Sequence, residues 1–93
     1  MKGTVTLIVP CYNEEESLPI FYHAVCDVAQ TLPDYQMTFL LINDGSKDNT
    51  LQIMRDLAAK DERVKYLSFS RNFGKEAAMY AGFCNAEGDY VAV

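Results

Sequence analysis

The sequence predicts an open, mostly parallel α/β sheet with helices on both faces. Short apolar segments alternate with longer segments of three-to-four apolar spacing in the order βαβαβαβ, and the connections between them are short. Right-handed crossovers then lay the strands side by side between layers of helix.

Residues 4–9 are rich in β-branched side chains and stop at Pro10, the mark of a buried strand closed by a turn. From Leu18 the apolar side chains fall at Leu18, Phe21, Val25, Val28 and Leu32, one helix face with Ser17 as its N-cap. Pro19 is tolerated in the first turn, and Pro33 stops the helix. Residues 37–42 are apolar apart from Thr38, which predicts a strand covered on both faces, followed by a turn at Asn43, Asp44, Gly45 and Ser46. Ser46 or Asp48 caps a second helix whose inner face is Leu51, Met54, Leu57 and Ala58. Residues 64–69 alternate more, with Lys65 and Ser68 between apolar neighbours, which places this strand nearer the sheet edge. Over residues 74–86, Ala77, Ala78, Ala81 and Cys84 recur at helical spacing and are small enough for a helix to lie close on the sheet. Gly88 is its stop, and residues 89–93 begin a fourth strand.

Composition narrows the function classes. The chain has 93 residues, 49% hydrophobic and 23% charged, with three prolines and five glycines, which fits one ordinary domain, residues 1–93, and not a disordered or fibrous chain. A chain this size buries about 60 to 65% of its unfolded surface, so its core is modest. Thirteen acidic against eight basic residues give a net charge of -5, and such a surface has no general attraction for nucleic acid. Cys11, Cys26 and Cys84 are odd in number, form no CxxC pair and have only His23 for company, so they read as small buried thiols and not as a disulfide framework or zinc site. No apolar run approaches the roughly 20 residues that cross a bilayer. The apolar segment before Pro10 is followed at once by Glu14, Glu15 and Glu16, unlike a signal peptide, so a reduced cytoplasmic location is expected.

In open α/β sheets ligands bind at the carboxyl ends of the strands, where neighbouring connections diverge, which singles out residues 10–16, 43–48 and 70–75. The first of these loops has no glycine. A dinucleotide fold needs GxGxxG there so that backbone N–H groups approach a pyrophosphate, and three glutamates repel that anion. What the loop offers is an aromatic ring and acceptors, suited to the hydroxyls and ring N–H groups of a nucleoside. Asp44, ending the second strand, is placed to accept hydrogen bonds from a base or ribose. A diphosphate then needs its charge offset by a divalent metal and by basic groups such as Arg71 and Lys75. Glu15 and Glu16 read as a solvated helix entry favoured by the helix dipole, and Cys11 lacks the adjacent base a nucleophile needs. A receiver-type signalling domain shares the βα repeat but needs an aspartate at the end of its third strand, where Ser68, Phe69 and Ser70 stand. A non-catalytic nucleotide-binding or self-assembling α/β module is the alternative reading.

Three strand-end motifs occur in order. Val9-Pro10-Cys11-Tyr12-Asn13-Glu14-Glu15 comes first, then Asn43-Asp44-Gly45-Ser46 with Asp48-Asn49-Thr50. The third is Ser70-Arg71-Asn72-Phe73-Gly74-Lys75-Glu76-Ala77-Ala78 with Ala81-Gly82. Together they resemble the N-terminal half of a family 2 glycosyltransferase, most closely the polyprenyl-phosphate group of dolichyl-phosphate mannose synthases and bactoprenol glucosyltransferases. The resemblance runs from about Thr4 to Val93.

It implies the Rossmann-like N-terminal part of a GT-A fold, a UDP- or GDP-sugar donor, Mg2+ or Mn2+, and inverting transfer to a polyprenyl phosphate. By the same resemblance, Pro10, Tyr12, Glu14 and Asp44 line the nucleoside pocket, Arg71 lies near the base or phosphates, and Lys75 lies near a donor or acceptor phosphate. In the family an Asp-x-Asp metal motif and the acceptor half follow, and in many members transmembrane helices as well. The expectation is therefore a donor-side fragment that does not transfer sugar alone, with the metal ligands after Val93 and the full-length protein at the cytoplasmic face of a membrane. An unpaired edge on the last strand further predicts a homo-oligomer.

Overall fold

Strands and helices alternate along the whole chain as β1 (Gly3–Cys11), α1 (Leu18–Gln30), β2 (Tyr35–Asn43), α2 (Thr50–Lys60), β3 (Val64–Ser68), α3 (Lys75–Asn85) and β4 (Tyr90–Ala92). This is a computed structural model, and it describes residues 3–85 and 90–92. The expected stop at Gly88 lies outside the described residues, as do Asp89 and Val93 at the ends of the fourth strand. All pairings are parallel and the strand order is β3-β2-β1-β4. The chain thus steps outward from β1 to β3 and then returns to the far side of β1, so the direction of winding reverses between β1 and β4.

Alternation along β2 explains both layers. Phe39 and Leu41 point into a cluster with Leu18, Met54, Leu57 and Val64, under α1 and α2. Leu40 and Ile42 point the other way, to Ile8 and to Ala78 of α3. Burying the strand on both faces is what its nearly unbroken apolar run predicts. On the α3 side Gly82 is required by close approach, since a Cβ there would lie 2.4 Å from Ile8 Cγ2.

Several local expectations are corrected. β1 does not stop at Pro10 but runs through it, pairing Pro10 with Ile42 and Cys11 with Asn43. The Cys11 carbonyl accepts the Asp44 N–H at 2.9 Å on the β2 side, so strand alternation turns the Pro10 backbone toward β4. The described pairing with β4 ends at Leu7, so the N–H that proline lacks is missed by no described neighbour. In α1 the packed face is Leu18, Tyr22, Val25, Cys26 and Ala29, while Phe21, Val28 and Leu32 are exposed. Both stripes have helical spacing and differ by about one residue of rotation, which periodicity cannot resolve. The hydroxyl of Ser17 caps no N–H and donates instead to Glu14 Oε2.

In α2 the N-cap position is Asn49, yet Asp48 supplies the capping carboxylate by accepting the Thr50 N–H at 2.9 Å. Ile53, not Leu51, joins Met54, Leu57 and Ala58 on the packed face. In α3 Cys84 is exposed and Gly82 takes the sheet-facing position, so only Cys11 of the three cysteines is a buried thiol.

Away from the strand carboxyl ends, α1 is tied to the α2–β3 connection. The Tyr22 hydroxyl donates to Asp61 Oδ2 at 2.6 Å, and Arg63 reaches the same carboxylate through Nε at 3.0 Å and a terminal nitrogen at 2.8 Å. The Arg63 guanidinium and the Tyr22 hydroxyl hold the Asp61 carboxyl well below the usual carboxylate range. A depressed folded-state value means that the stabilisation is complete above the unfolded value, about pH 4, and is lost as pH falls below it. Urea midpoints measured at pH 6 and pH 3 check this. Asp61→Asn is expected to cost about 1 kcal/mol at pH 6, discounted because Arg63 is partly solvated, and to lose less than the wild type between the two pH values.

Candidate functional site

Three loops converge at the carboxyl ends of β1, β2 and β3. The loop after β1 is exposed from Tyr12 to Glu14 and carries no buried apolar anchor, so polar bonds hold it. Asn13 takes a left-handed backbone conformation (φ 53°), which asparagine tolerates better than most residues. Its N–H donates to Ser46 Oγ at 2.9 Å, and its Oδ1 accepts the Lys47 N–H at 2.8 Å. The next two N–H groups are also taken by the second loop: Glu14 donates to Thr50 Oγ1 at 2.9 Å and Glu15 to Asp48 Oδ2 at 3.2 Å.

The second loop grips the third just as closely. Asp44 is almost wholly buried, and its two carboxylate oxygens accept the Phe73 N–H at 2.8 Å and the Gly74 N–H at 3.1 Å. The side-chain bond that closes this corner comes from the neighbouring residue, because Asn43 Oδ1 accepts the Ser46 N–H at 3.1 Å. The Phe73 ring meets the edge of Phe69 at 5.6 Å, and Phe69 packs on the Ile8 and Ile42 cluster.

Between the loops lies a cleft of about 370 Å³ lined by Pro10, Cys11, Tyr12, Glu14, Asp44, Asn72, Gly74 and Lys75. It opens at the end of β1, next to the reversal of winding, where an open α/β sheet offers a binding crevice. Of the residues singled out from sequence, Pro10, Tyr12, Glu14, Asp44 and Lys75 meet in this cleft. Arg71 does not line it, and its guanidinium lies 5.0 Å over the Phe73 ring. Tyr12 is 41% exposed, so one part of its ring is open to a ligand. Cys11, Asn72 and Gly74 were not expected in the lining. Asn13 and Thr50 have no role legible in the sequence and Ser46 only that of a candidate helix cap; their loop-locking role shows only through partners 33 to 36 residues away.

The cleft has acceptors and a lysine but no activated nucleophile. Burial and the neighbouring Glu14 push the Cys11 thiol up to about 12, so it stays protonated near neutral pH. Among the described residues no group of three His, Cys, Asp or Glu side chains is placed to hold a metal ion. No helix among them is long and apolar enough to cross a membrane.

A family model described as glycosyl transferase family 2 matches residues 6–93. A bactoprenol glucosyl transferase of Shigella phage SfV is 49% identical over 87 residues, which cover 94% of this chain and 28% of the relative. An undecaprenyl-phosphate 4-deoxy-4-formamido-L-arabinose transferase of Pseudomonas fluorescens is 39% identical over 88 residues, 94% of this chain and 26% of the relative. Among solved structures, the mannosyltransferase PcManGT from Pyrobaculum calidifontis, in complex with GDP-Man and Mn2+, matches with a TM-score of 0.74 at 23% identity. That match covers 98% of this chain and 26% of the neighbour, so the chain spans about a quarter of the length of the proteins it matches.

Proposed function

The chain belongs to glycosyltransferase family 2, and from that premise we propose that it is the donor-side part of a GT-A enzyme that transfers a sugar, with inversion, from UDP or GDP to a polyprenyl phosphate. The observation that carries the reading is the cleft itself: an open tyrosine ring, two carboxylates and a lysine gathered at the end of β1. Tyr12 offers a face for the base. Glu14 and Asp44 offer acceptors for ring N–H groups and ribose hydroxyls, Asp44 through the lone pairs left over from its two backbone bonds. Lys75 offsets diphosphate charge from the mouth, Arg71 does so from outside the lining, and Pro10 forms a wall.

The relatives named for bactoprenol and undecaprenyl phosphate support the acceptor class; a lipid acceptor favours a place at a membrane, which the proposal takes to be its cytoplasmic face. The GDP-Man and Mn2+ of PcManGT support a nucleotide-sugar and a divalent cation, Mg2+ or Mn2+. Such a cation neutralises the leaving diphosphate, and by the family resemblance its ligands are assigned to chain after Val93. On this reading residues 1–93 alone transfer no sugar. Self-association, argued from the unpaired edge expected on the last strand, belongs to the same proposal.

Amide NMR titration with UDP, GDP and NAD in the presence of Mg2+ tests the reading. Binding of UDP or GDP with a Kd of about 0.1 to 1 mM is expected, with shifts at Tyr12, Glu14 and Lys75, since only part of the donor site is provided. Tight NAD binding, or no shift with either nucleotide, would sink it.

A further inference from the structure

We propose that Thr50, acting with Asp48 and Asn13, is a positioning residue that fixes where Tyr12 and Glu14 meet the nucleotide. The inference rests on the nucleotide reading of the cleft and adds to it a group that touches no ligand. Thr50 is fully buried at the first position of α2, yet its hydroxyl serves the opposite loop. Its Oγ1 donates to Asp48 Oδ1 at 2.5 Å, which directs its proton away and leaves a lone pair for the Glu14 N–H at 2.9 Å. The other Asp48 oxygen takes the Glu15 N–H at 3.2 Å. Asn13 adds a second, independent pair of bonds, to Ser46 at 2.9 Å and to the Lys47 N–H at 2.8 Å.

Three consecutive N–H groups, of Asn13, Glu14 and Glu15, are thereby fastened to the turn after β2 and to the first residue of α2. The two side chains offered to the ligand, Tyr12 and Glu14, flank Asn13 within that tethered segment. A loop exposed from Tyr12 to Glu14 holds its geometry through hydrogen bonds, of which these are the ones that reach across to the second loop, and small displacements of positioning groups cost disproportionate affinity.

The test compares Thr50→Val, which keeps the shape and loses the hydroxyl, with Thr50→Ser, which keeps the hydroxyl. Nucleotide affinity is read by amide NMR titration of this chain with UDP and GDP, and loop order by hydrogen exchange. Thr50→Val is expected to weaken binding five- to twentyfold and to speed exchange of the Glu14 amide, with Leu7 and Leu41 amides unchanged. Thr50→Ser is expected to stay within twofold of the wild type, a rescue that a purely space-filling role does not predict. Asn13→Gly, at an exposed site whose backbone conformation glycine accepts, should weaken binding threefold or more, and it decides the matter if Thr50→Val does not fold. Wild-type affinity in Thr50→Val despite a deprotected Glu14 amide, or in Asn13→Gly, overturns the positioning role alone. Absence of UDP and GDP binding by the wild type overturns the nucleotide reading, and this role with it.

Discussion

Gly45→Ala is expected to be more damaging than alanine at Gly74 or Gly82. A Cβ on Gly45 would lie 2.1 Å from the Arg71 carbonyl carbon, 2.3 Å from the Asn72 nitrogen and 2.7 Å from Arg71 Cα. All three are backbone atoms, so no side chain can swing aside, and the third loop must move bodily. The backbone at Gly45 is also left-handed (φ 71°), which adds about 1 kcal/mol of strain for any side chain. Together these place the cost at about 3 to 5 kcal/mol, a large part of a small domain's stability. At roughly 4 to 8 °C per kcal/mol, the melting temperature should fall by at least about 12 °C in a circular-dichroism melt. Gly74→Ala is the control: its φ is also positive, at 102°, but nothing lies within 4 Å of the added carbon, so only the strain of about 1 to 2 kcal/mol is expected. Equal losses in the two variants would show that the second and third loops do not approach as described.

Asp44→Asn is expected to damage both stability and binding. Both carboxylate oxygens are engaged by backbone N–H groups of the third loop, so an amide in their place sets an NH2 against a partly buried N–H donor. Losing one charge-assisted bond and leaving its donor unpaired costs about 2 to 3 kcal/mol, or roughly 8 to 24 °C in melting temperature. The amides of Phe73 and Gly74 should lose exchange protection. UDP or GDP affinity should fall more than tenfold, because Asn72, Gly74 and Lys75 line the same cleft as Asp44. An unchanged melting temperature would remove Asp44 from its structural role and leave only the direct contact with the nucleoside expected from the sequence.

These two residues show how far the sequence could be read. Their types and spacing marked a strand-end turn and a carboxylate beside it, and the family resemblance gave the carboxylate a ligand. Neither indicated that the partner of both is a loop 26 to 30 residues further on. The same limit applies to Thr50, whose side chain looks like an ordinary helix start until Glu14 is brought to it from 36 residues away.

By itself the sequence determined the alternation of strands and helices, the doubly buried second strand, the edge position of the third and the loops that line the cleft. All of these follow from local periodicity and turn residues, which act over one or two turns of chain. Only the tertiary structure decided the order β3-β2-β1-β4, the stripe of α1 that packs and the continuation of β1 through Pro10. It also excluded Arg71 from the cleft and supplied the bonds that lock the three loops. Those features depend on which surfaces meet across the sheet, and the free energy of such contacts is set by residues distant in sequence, where neither spacing nor propensity carries a signal.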